Sequence, residues 1–167
     1  MNLIDTFQNL VAQVPELVQP LIVALAAAIP YIEGEGAVAI GIIGGIHPIV
    51  AAVAAIAGNL ICVVAVVLVT TGAREAVVAR RRASAVGDAP AQESSPRREK
   101  LQRALVRYGV PGVSLLGPII VPTQLTAAFL AGSGVSRGRI LAWQGTAIVL
   151  WTTLLTLVAT GIVNVVA

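Results

Sequence analysis

The stretch that decides the fold runs from Ile29 to Gly36 and reads IPYIEGEG. Upstream, Leu17–Ala28 reads LVQPLIVALAAA; downstream, Ala37–Gly58 reads AVAIGIIGGIHPIVAAVAAIAG. Both flanks are almost wholly apolar, so Glu33 and Glu35 interrupt what otherwise looks like a membrane segment. Working outward, the whole chain is 57% hydrophobic and only 11% charged. A soluble domain carries about 25% charged residues, and a polar surface cannot be assembled from so few. The expected solvent is therefore lipid. The start, MNLIDTFQNL, lacks the basic and apolar regions of a secretory signal, and none is expected. The single cysteine, Cys62, lies in an apolar run, reads as core or lipid-facing, and offers no disulfide or metal cluster.

Residues 3–18 carry apolar side chains at helical spacing, with Asp5, Gln8, Asn9, Gln13 and Glu16 on the other face. This is the pattern of an amphipathic helix lying in a membrane interface. An apolar arm follows over 17–32, then the acidic turn, then a shorter arm over 37–47 closed by His47-Pro48. Residues 49–71 are long enough for a full span, for which about 20 suffice. The character then changes to a basic loop over 73–107, whose Ser84–Pro96 centre has the composition of a disordered linker with helical flanks. The second membrane part repeats the order: an arm over 108–123 interrupted by Pro111, Pro118 and Pro122, a short arm over 125–134, and a span over 140–163. The expected domains are an interfacial helix (1–18), a membrane repeat (19–72), the basic loop, and a second repeat (108–167).

Arms of ten to twelve residues are too short to cross roughly 30 Å of hydrocarbon at 1.5 Å per residue. Each pair of arms therefore reads as a re-entrant helical hairpin, tolerated at depth where protein or a water-filled cavity covers it. Full two-helix crossings remain the alternative and would put Glu33 and Glu35 at a membrane surface, as acids of a helix start. The fold class expected is an all-α integral membrane protein, with two hairpins and two spans in an inverted repeat. Charge sets the orientation. Nine of the eleven Lys and Arg lie between Arg74 and Arg107, and the others are Arg137 and Arg139. With the N-terminus outside, every one of them becomes cytoplasmic, as the positive-inside rule favours. The basic balance is thus a topology signal, and no nucleic-acid partner is expected.

In this reading the two hairpin tips meet near the midplane. Tip one carries Glu33 and Glu35; tip two carries Thr123, Gln124 and Thr126, with helices beginning at Gly36 and Gln124. An acid at that depth costs about 2.5–3.5 kcal/mol. Desolvation and mutual repulsion favour its neutral form, which suits a group that exchanges a proton for a cationic substrate. Asn59 is a polar residue inside the first span, read either as bonding hairpin backbone or as facing the pathway. For Thr123, Gln124 and Thr126 the plainer role is capping and interhelical bonding. His47 reads as interfacial, and Trp143 and Trp151 as an anchor and a packing residue. A lone histidine and one cysteine leave no nucleophile–base pair, so enzyme activity is not expected, and no cofactor or metal is implied.

IPYIEGEGAVAIGIIGGIHPIVAAVAAIAGN and RYGVPGVSLLGPIIVPTQLTAAFLAG together resemble the small multidrug export family, which is itself similar to the DedA/VTT membrane proteins. The resemblance covers residues 25–163. It implies paired re-entrant hairpins, a transport role in the bacterial inner membrane, and Glu33 or Glu35 as the tip-one acid. It also implies a proton-motive-force dependence and, as a second function, movement of a polyprenyl-phosphate carrier lipid; for that function Arg137, Arg139 and the Arg-rich loop are the residues expected to gather the phosphate. Those relatives carry an arginine at tip two where this chain has Gln124, which favours a cation over a phosphate. The leading expectation is proton-coupled export of small amphiphilic cations by a homodimer. A carrier-lipid flippase and a membrane scaffold without transport are the alternatives.

Overall fold

The computed structural model describes residues 3–84 and 96–166. The interior of the Ser84–Pro96 linker therefore lies outside the described residues. The elements are α1 (Leu3–Gln13), α2 (Gln19–Ala27), α3 (Glu33–Ile43), α4 (Pro48–Ser84), α5 (Pro96–Leu116), a 3₁₀ turn (Gly117–Ile119), α6 (Thr123–Gly132) and α7 (Arg137–Val166). Among the described residues the chain is all helix and turn, without a strand.

Helix boundaries follow local chemistry. Pro20 occupies the first turn of α2, where its missing N–H costs nothing. His47 holds the start of α4, its Nδ1 accepting the Ile49 N–H at 3.3 Å. Gly45 and Gly134 sit at φ 88° and 86°, ending α3 and α6 with the left-handed residue that closes a helix. Gly109, at φ 68° and ψ −172°, breaks α5 into two pieces, and Pro111 opens the second.

The chain divides into two compact units. The first comprises α1, α2, α3, α4 as far as Cys62, and α7 from Gly145 onward. Its core is built from small side chains: Ala26, Ala27, Ala37, Ala51, Ala55, Val23 and Val38 are all fully buried. Phe7 and Val14 of the N-terminal segment pack against that core, as do Leu155 and Ala159 of α7. Small residues let backbones approach closely, which is how helices hold together where lipid removes the hydrophobic drive. A side chain on Gly58 would collide with the main-chain carbonyl of Ala24, so α4 lies directly on the α2 backbone there.

The second unit comprises the rest of α4, α5, the 3₁₀ turn, α6, and α7 up to Gln144. Val113, Val121, Ala127, Leu130, Ala131 and Ile140 are buried in it. The Arg74 guanidinium lies against Gly134, and Arg137 pairs with Glu75 at 2.7 Å, tying the α6–α7 turn to α4.

Two helices are long and apolar enough to cross a membrane, over Pro48–Arg80 and Arg137–Ile162. Their apolar side chains face outward, which separates them from the core helix of a soluble protein. Only 33% and 17% of their most apolar windows are buried. Ile49, Val53, Ile61 and Val69 on α4, with Leu150, Leu157 and Ile162 on α7, are all exposed. Contiguous exposed apolar surface on this scale belongs against lipid or another protein.

Candidate functional site

Residues 28–32 form the turn between α2 and α3. Pro30 has no N–H to continue the helix, and Ile29 O accepts both the Ile32 N–H (3.2 Å) and the Glu33 N–H (3.1 Å). Tyr31 (φ 74°) and Glu33 (φ 51°) are both left-handed non-glycine residues. Such backbone is uncommon and costs of order 1–3 kcal/mol per residue. Helix α3 then begins at Glu33, three residues before the expected Gly36. Both acids consequently lie in its first turn, where the helix dipole stabilises a negative charge. Their surroundings differ. Glu33 is buried, at 6% exposed, while Glu35 is half-buried.

Two neighbours from distant parts of the chain, Thr152 and Cys62, converge on this turn. Gly34, between the two acids, lies directly beneath the Thr152 hydroxyl of α7; any side chain at 34 would collide with that oxygen. Thr152 is fully buried and its Oγ1 has no hydrogen-bond partner. Cys62 of α4 donates from Sγ to Ala28 O at 3.3 Å, closing the turn from another side. Asn59 is fully buried one turn earlier on α4, next to Gly58 and its contact with Ala24. The first unit thus brings together Glu33, Thr152, Cys62 and Asn59 around hairpin one. Of these the sequence reading named Glu33 and Asn59 as site residues.

The tip of hairpin two is also polar and also buried. Thr123, Gln124 and Thr126 are at most 3% exposed. Pro122, at φ −49° and ψ 142°, turns the chain into α6, which starts at Thr123, one residue before the expected Gln124. Gly117 lies against Thr126: a side chain there would come within 3.3 Å of the threonine hydroxyl. Ser114 and Gln144 are fully buried in the same unit, and neither side-chain oxygen has a hydrogen-bond partner. Sequence reasoning passed over Thr152, Ser114 and Gln144. The signal was present in WQG and WTT, each a polar residue inside a span, but the adjacent tryptophans drew the reading.

Arg137 and Arg139 are exposed at the start of α7. Arg137 is engaged by Glu75, and an exposed pair of this kind contributes about 0–1 kcal/mol. His47 caps a helix, as an exposed residue, and Cys62 is a turn-closing donor as well as a packing residue. Among the described residues no group of three His, Cys, Asp or Glu side chains is placed to hold a metal ion. Searches of family models, curated proteins and solved structures return no significant match to this chain.

Proposed function

We propose that this chain is a membrane transporter that exports small amphiphilic cations in exchange for protons. The observation that carries the reading is Glu33, a carboxylate only 6% exposed, held on a short helical hairpin between apolar helices. A charge in such a place is costly unless it is paired, protonated or replaced by a bound cation. A group that must choose between a proton and a substrate couples the two.

In this proposal both hairpins are re-entrant. Helices α3 and α6 have 11 and 10 residues, or roughly 15–16 Å of helix against about 30 Å of hydrocarbon. Each unit combines one hairpin with part of each long helix, which supports an inverted repeat of the kind found in secondary transporters. The basic segment from Arg74 to Arg139 lies on the cytoplasmic side of the inner membrane, and the protein works as a homodimer. The tip of hairpin two, with Thr123 and Gln124, is polar and uncharged, so it offers a phosphate no fixed positive charge.

The test is transport in proteoliposomes with an imposed proton gradient, comparing wild type with Glu33→Gln and Glu35→Gln. Proton-driven movement of a fluorescent organic cation, abolished by Glu33→Gln and reduced by Glu35→Gln, is the expected result. Movement of a polyprenyl phosphate that survives both substitutions would transfer the role to Arg137 and Arg139 and to a carrier lipid. No movement of either probe would leave a scaffold.

A further inference from the structure

We propose that the turn of hairpin one is a Na⁺ site, in which the Thr152 hydroxyl and the Glu33 carboxylate are ligands to the same ion. The proposal goes beyond the transport reading, in which Glu33 exchanges a proton for an organic cation, by adding an inorganic ion that competes for the same carboxylate. It rests on that reading for the ion's purpose, but not for the binding itself.

Three other buried or half-buried hydroxyls of the two long helices set the comparison. Thr71 donates to Val67 O, Thr156 to Thr152 O at 2.6 Å, and Thr160 to Thr156 O at 2.7 Å. Each bonds back to its own helix, the ordinary solution for threonine in an apolar helix. Thr152 has the same option and does not take it. Its hydroxyl is turned instead onto Gly34, is fully buried, and has no partner. A buried hydroxyl in that condition costs about 1–3 kcal/mol.

The place it points to is not arbitrary. Gly34 lies between Glu33 and Glu35, and the absence of a side chain at 34 is what admits the oxygen. Just before it the backbone is held in the left-handed region, at Tyr31 and at Glu33 itself. Strain of this kind persists where the surroundings enforce it, and it clusters at binding sites. A carboxylate and a hydroxyl are hard-oxygen donors of the kind that suit Na⁺. Soft or imidazole-preferring metals are excluded by the donor type. Only Glu33 is near-fully buried, so the site offers one buried negative charge, which matches a monovalent ion better than Ca²⁺ or Mg²⁺.

The test is thermal unfolding of the purified full chain in detergent, titrated with NaCl, KCl or choline chloride at constant ionic strength. An ion that binds only the folded state raises Tm with its concentration. Na⁺ is expected to raise Tm for wild type and for Thr152→Ser, which keeps the oxygen, while K⁺ and choline do not. Thr152→Val and Glu33→Gln are expected to lose at least about tenfold in Na⁺ affinity, or about 1.4 kcal/mol. The proposal is overturned if wild type shows no Na⁺-specific shift, if Thr152→Ser loses it, or if Thr152→Val retains it. A shift from Ca²⁺ as large as that from Na⁺ overturns it too. Should Thr152→Val fail to fold, wild type, Thr152→Ser and Glu33→Gln decide the matter. Because the readout is binding, loss of cation export with intact Na⁺ response would count against the transport reading alone.

Discussion

Glycine 58 shows how much a single hydrogen atom can matter in this packing. Its missing side chain lets α4 rest on the Ala24 carbonyl, and that carbonyl is main chain and cannot rotate aside. Gly58→Ala is expected to destabilise the chain by about 1–3 kcal/mol, seen as a lower Tm in detergent. Gly145→Ala is the control: its new carbon would meet Leu60 at 3.6 Å, an ordinary contact. Gly161→Ala, on an exposed position of α7 with open space around it, is expected to stabilise by roughly 0.5–1 kcal/mol through helix propensity. Tyr31 is 71% exposed and left-handed, so little burial opposes its replacement. Tyr31→Asn, which tolerates that backbone, is expected to leave Tm unchanged or raise it by a shift worth up to about 1 kcal/mol. The acids of the opening octet were legible as anomalies, because a charge in an apolar run is rare. Their unequal burial was not, because it depends on a left-handed glutamate that no propensity rule anticipates.

Among the elements, the short arms and long helices were readable from run length alone. Helix α2 falls inside the first apolar arm, α3 and α6 overlap the short arms, and α4 and α7 cover the expected full spans. Two details escaped. Helix α3 starts three residues early, at Glu33, because its first turn is stabilised by the acids that the reading had assigned to a loop. Helix α5 contains a break at Gly109, where a glycine beside Tyr108 gives little sequence warning. The contact of Thr152 with Gly34 joins α7 to α3 and could not be seen in any local window. Short hairpins make a prediction of their own. With Cys62 replaced by Ala, Tyr31→Cys is expected to resist a membrane-impermeant maleimide applied from the cytoplasmic side, whereas Arg80→Cys is labelled from that side. Labelling of position 31 from the cytoplasm would mean that the hairpin crosses completely.

For the molecule as a whole, the charge distribution predicts its orientation. Reporter fusions within the 84–96 segment are expected to fold on the cytoplasmic side, and those after α7 on the opposite side, following the placement of every Lys and Arg between Arg74 and Arg139. The same long helices have another effect. The first unit is not contiguous in the chain: its share of α7, with Thr152, is specified roughly 120 residues after Gly34. A ribosome adding about 5–20 residues per second takes on the order of ten seconds to cover that distance. Throughout that interval hairpin one is without the helix that completes its surroundings, and Glu33 is newly made beside an unfinished wall. The surroundings of Glu33 are therefore assembled in two stages, and α7 supplies the second.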